Sequence, residues 1–138
     1  SNELRRRFPD TQPAAREAPA QDSDDDVMAE IQRLLQAGKL DEDTLIEALD
    51  GGRRAFAKAV LAVLSGLGPA VVDKILSARS AKGVTALAWK AKLSMATATR
   101  MQLRLGGIAP KQLLKARAGQ EWPLSPDELT WHLEFFGA

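Results

Sequence analysis

Residues 54–76, RAFAKAVLAVLSGLGPAVVDKIL, decide the fold. Phe56, Ala59, Val60, Val63 and Leu64 recur at i, i+3, i+4, i+7 and i+8, the stripe of a core-facing helix. Ser65-Gly66 stops that helix, because glycine enters the left-handed conformation of a helix end without a steric penalty. Pro69 then stands where a first-turn proline belongs, and Val72, Ile75 and Leu76 carry the next stripe. Two apolar helices joined by so short a turn must pack against each other and against further helices.

The same punctuation extends in both directions. Upstream, Val27, Ile31, Leu34 and Leu35 share a face and Gly38 follows; Asp41 caps a short helix with Leu45, Ile46 and Leu49, which ends at Gly51-Gly52. Downstream, Gly83 is expected to end the segment that Pro69 opens, and Val84, Leu87, Ala88 and Ala91 line a short helix. Ser94 caps a helix with Met95, Ala98, Met101 and Leu105, and Pro110 is expected to open another with Leu113 and Leu114. Ser125-Pro126-Asp127-Glu128 has the form of a capping box before Leu129, His132, Leu133 and Phe136. No stretch alternates with period two. The expectation is an all-α domain of about eight helices in antiparallel pairs, a HEAT-like short solenoid or a bundle.

Residues 1–23 carry Arg5-Arg6-Arg7 and three prolines without helical periodicity, and read as a flexible tail before a single domain over 24–138. The opening Ser1-Asn2, without methionine, suggests a protease scar and the C-terminal part of a longer protein. The 138 residues include no cysteine, which excludes disulfides and thiolate chemistry and fits a cytoplasmic setting. No apolar run reaches bilayer-spanning length, so no membrane role is expected.

The net charge of +1 hides a strong segregation. Residues 22–50 hold ten acids and two bases, 51–120 thirteen bases and one acid, Asp73, and 121–138 four acids and no base. Arg54 and Lys58, Arg100 and Arg104, and Lys111 and Lys115 are like-charge pairs four apart, each costing an isolated helix about 0.2–0.5 kcal/mol. An anionic partner, or the acidic ends of the chain itself, would supply the counter-charge.

Gly66-Leu67-Gly68-Pro69 also has the shape of a helix-hairpin-helix, in which small turn residues let backbone amides approach a phosphate. Lys74 would add a contact, and Gly107-Ile108-Ala109-Pro110 with Lys111 is a weaker second copy 41 positions later. Any tight helix–helix turn selects the same residues, and Val72 stands where the motif has a small one. Nucleic-acid contact through Gly66, Gly68, Lys74, Gly107 and Lys111 is therefore the second reading. The first is a protein partner held by Arg54, Lys58, Arg100, Arg104, Lys111 and Lys115, with Trp131 and Phe135 as a second patch. The terminal helix can instead use those aromatics to dock on the bundle. His132 is the sole histidine and lies on an apolar stripe, so it reads as a half-buried packing residue. The Asp24-Asp25-Asp26 run lacks the glycine and spaced oxygens of a calcium loop. No catalytic, cofactor or metal motif appears, so no enzyme is expected.

Four stretches together, LLQAGKLDEDTLIEALDGG (34–52), FAKAVLAVLSGL (56–67), ALAWKAKLSM (86–95) and WPLSPDELTWHLEFFG (122–137), resemble the bacterial domain of unknown function 2336. That resemblance implies an all-α, HEAT-like repeat fold and no activity, substrate or catalytic residue. The family usually carries more phenylalanine around Phe56 and a glycine where Lys92 stands.

Overall fold

The computed structural model describes residues 23–117 and 119–138. Among them are seven α-helices, one 3-10 turn and no strand: α1 (Asp24–Ala37), α2 (Glu42–Asp50), α3 (Arg54–Ser65), α4 (Pro69–Ser77), α5 (Ala81–Lys90), α6 (Met95–Arg104), the turn Pro110–Gln112 and α7 (Pro126–Phe135). The fold is all-α, as the periodicity implies. The expectation for residues 1–22 lies outside the described residues.

Five of the seven helix starts have a side-chain cap. Side chains of Ser23, Asp41, Ser80, Ser94 and Ser125 accept from amides in the first turn of the helix that follows. Ser125 and Glu128 complete the capping box, with Pro126 at the first position. The chain axis turns by 118° between α3 and α4. Gly66 at φ 73° and Gly68 at φ 85° make that turn, a conformation that side-chain-bearing residues seldom adopt.

Helix α5 is the centre. It packs on α3, α4, α6 and α7, and every residue from Gly83 to Ala88 is buried. Its small side chains let four neighbours approach, and its one buried hydroxyl, Thr85, donates to the Ala81 carbonyl at 2.7 Å. Around it lie Phe56, Leu61, Ile75, Met101 and Leu129, all fully buried. Each contributes about 1.5–3 kcal/mol of transfer free energy. Helices α1 and α2 extend this core through Val27, Ile31, Leu45 and Leu49.

Three expectations are corrected. Gly83 does not end a helix; it lies in the first turn of α5, where a Cβ would meet the Phe136 ring at 2.9 Å, so its role is close packing of the chain's end. The buried face of α3 is Phe56, Ala57, Val60 and Leu61, whereas Val63 is 41% exposed. This helix is apolar on nearly every side, so its sequence leaves the direction of burial undetermined. Pro110 opens only a 3-10 turn, and Leu113 is extended. The cause is Gln102, fully buried on α6: its side chain accepts from the Leu114 amide at 2.8 Å and donates to the Leu114 carbonyl at 3.0 Å. Thr99 donates to the same carbonyl at 3.2 Å. A backbone held that way cannot enter a helical ladder.

Candidate functional site

Part of the basic centre is spent inside the molecule. Arg53 forms a two-point pair with Glu30 of α1, at 2.7 and 3.2 Å, and its guanidinium lies 4.2 Å from the centroid of the Phe56 ring. Arg100 pairs with Asp50 at 2.7 Å and ties α6 to α2. Lys58 pairs with Asp73 at 2.6 Å, and Arg54 donates to the Leu105 carbonyl at 3.0 Å. The acidic N-terminal helices thus neutralise part of the basic middle. These ion pairs are half-exposed, each worth about 0–1 kcal/mol, so they set register more than stability.

Glu42 makes the same link without a base. One carboxylate oxygen accepts from the Ser94 amide at 3.0 Å, from the Ser94 hydroxyl at 2.8 Å and from the Thr97 hydroxyl. Burial alone would push its pKa up; the bonds from Thr97 and Ser94 outweigh that and hold it below the usual glutamate range. Three of the six bases expected to meet a partner, Arg54, Lys58 and Arg100, therefore have internal partners. Among the described residues Arg104, Lys111 and Lys115 form no ion pair, and all three are exposed.

The α3–α4 hairpin has an exposed Gly66 and an exposed Lys74, while half-buried Leu67 packs on the core. Two of its amides are already engaged. Gly66 donates to the Ala62 carbonyl at 3.1 Å and Leu67 to the Ser65 hydroxyl at 3.2 Å. Val72 is fully buried. The cleft at the start of α4 is lined by Asp24, Asp73 and Lys58 with Val27, Met28, Ala55, Ala59 and Pro69. Two carboxylates beside that helix start oppose a phosphate there. The second copy has Gly107 at φ 65° but no second helix, and its Ile108 is buried.

The aromatic end divides cleanly. Leu129 and Leu133 are buried and Phe136 is half-buried on the α5 side, which docks α7. Trp131 and Phe135 face outward, 58% and 69% exposed, with rings stacked at 5.7 Å and 21°. His132 is half-buried and meets Trp131 edge-on at 4.9 Å. Burial, then the Lys82 charge, push its pKa below the ordinary histidine range against the pull of Glu128.

A cleft of ≈ 460 Å³ between the ends of α4 and α6 was not anticipated from sequence. Arg54, Arg79 and Arg104 line it with Ser77 and Gly107. Arg79 escaped notice because it stands alone in a connection and pairs with no base four residues away. No group of three or more histidine, cysteine or acidic residues that could hold a metal occurs among the described residues, and no single helix among them is long and apolar enough to cross a membrane.

No curated protein and no solved structure matches this chain. A family model described as "Uncharacterised protein conserved in bacteria" (DUF2336) matches residues 3–120. The match reaches further toward the N-terminus than the quoted stretches and stops before α7, so the aromatic pair lies outside it. A chain matched over most of its length in this way belongs to the DUF2336 family of bacteria.

Proposed function

We propose that this chain is a non-catalytic, HEAT-like helical domain that binds a partner protein. The observation that carries the reading is the exposed Trp131–Phe135 stack. Two large rings held in water on a helix whose other face is anchored are costly to leave uncovered, and tryptophan and other aromatics dominate interface anchors. Their removal is expected to leave the core intact, because the buried face of α7 is Leu129 and Leu133.

Affinity recovery from source-cell extract, with wild type, W131A/F135A and R100E run in parallel, tests it. A protein retained by wild type and R100E but lost by W131A/F135A is expected. Identical recovered sets for all three would reject the aromatic surface.

Sequence-independent nucleic-acid binding is the second reading, favoured by the exposed Gly66 turn beside exposed Lys74. Asp24 and Asp73 at the start of α4 weigh against it. Titration of labelled duplex at two salt concentrations separates the readings. Phosphate contacts predict affinity that falls steeply with salt, and absence of binding at low salt ends this reading.

A further inference from the structure

The cleft lined by Arg54, Arg79 and Arg104 carries three guanidiniums and, among the described residues that line it, no carboxylate. The ordinary role for such arginines is to offset helix C-termini, and α4 and α6 both end here. Two helix ends amount to about one negative charge in total, against three positive ones. Arg54 spends one N–H on the Leu105 carbonyl. Most of the fork donors remain, and the local charge is not balanced from within.

Arg79 adds an independent sign. It holds a left-handed backbone at φ 51°, where glycine would be the unstrained choice. Strain of this kind gathers at binding sites. Its side chain is also laid against a neighbour: a Cβ on Gly107 would stand 3.4 Å from Nε and 3.7 Å from Cζ of Arg79. The guanidinium stem thus lies over Gly107 at ordinary contact distance, at the edge of the cleft.

A second shallow cleft lies on the other side of the end of α4, lined by Lys74, Ser77, Ala78, Glu134, Phe135, Phe136 and Gly137. Ser77 borders both. The arginine cleft and the aromatic patch are thus neighbours across one helix end.

We infer that the Arg54–Arg79–Arg104 cleft is an oxyanion site that takes the phosphate of a phosphorylated peptide, whose adjoining residues cross Ser77 toward Phe135. Guanidinium forks match phosphate oxygens in pairs, and arginine clusters are a recurrent device for phospho-motif recognition. The peptide half of this inference rests on the protein-interaction reading above; the phosphate half does not.

Calorimetric titration of the whole chain with a phosphoserine peptide carrying one aromatic residue, its unphosphorylated counterpart, and inorganic phosphate provides the test. The phosphopeptide is expected to bind more tightly than inorganic phosphate, and the unphosphorylated peptide to bind at least about tenfold more weakly. R79G/R104Q is expected to lose about tenfold or more of phosphopeptide affinity. R79G relieves the left-handed backbone, so this variant should remain folded, which its melting curve checks. Absence of phosphopeptide binding, an unchanged affinity in R79G/R104Q, or inorganic phosphate binding as tightly as the peptide would each overturn the inference. None of these outcomes touches the W131A/F135A recovery experiment, so the two readings fail separately.

Discussion

At the scale of single residues, three positions carry local information of different legibility. Lys92 follows α5 at φ 63°, and the chain closes there with Lys92 donating to the Trp89 carbonyl and Leu93 to the Ala88 carbonyl. Glycine at this position would meet that backbone without strain. Lys92→Gly is expected to raise stability by about 0.5–1 kcal/mol, the left-handed penalty less glycine's extra entropy, measured by urea unfolding. Gln102 was illegible: a glutamine beside Met101 looks like a solvent-facing residue, and only the returning chain at Leu114 gives it a partner. Gln102→Leu removes both bonds and leaves the Leu114 amide without its partner, and is expected to cost about 1–3 kcal/mol in the same assay. Glu42 follows the Asp41 cap, and nothing in its place along the chain points to Ser94 or Thr97. Its lowered pKa means that its stabilising contribution is complete above the ordinary value of 4.5 and is lost as pH falls through the lower native one. Stability of Glu42→Gln should therefore fall less than that of wild type as the solution is acidified below 4.5, and parallel curves would show that the Ser94 and Thr97 bonds do not tune this carboxylate.

At the scale of elements, helix existence was written in caps and stops, and helix orientation only in part. Val72, Ile75 and Leu76 on α4, and Met95, Ala98, Met101 and Leu105 around α6, are buried as their spacing implies. Helix α3 has apolar residues on most sides, so its contacts with α1, α4 and α5 choose the face. Gly83 shows the reverse error: a stop signal by composition, used for packing against Phe136. In α7 the aromatic residues did not say which of them dock. The structure gives a sharp contrast there. Leu133→Ala should cost about 2–5 kcal/mol, as for other large buried side chains. Trp131→Ala and Phe135→Ala should each change stability by less than about 0.5 kcal/mol. Chemical unfolding of the three variants checks this, and a large loss for Trp131→Ala would show that its ring supports the fold rather than a partner.

At the scale of the whole molecule, the segregated charge along the chain becomes an arrangement in space. The acidic α1 and α2 meet the basic middle through Glu30–Arg53, Asp50–Arg100 and Glu42 on the start of α6. The linear pattern showed that opposite charges were available to each other, but not which faces meet, because that depends on how helices from distant parts of the chain pack. Among the features left uncovered are the basic Arg104, Lys111 and Lys115, the arginine cleft, and the stacked Trp131 and Phe135. The last of these carries the functional proposal, and it can be probed in place. A photo-reactive phenylalanine analogue at position 131, expressed in source cells, should give a discrete covalent adduct with one protein. The same analogue at exposed Lys90 should not give that adduct, and Phe135→Ala should abolish it. An adduct that forms equally from position 90, or no adduct from position 131, would contradict a partner surface at the aromatic pair.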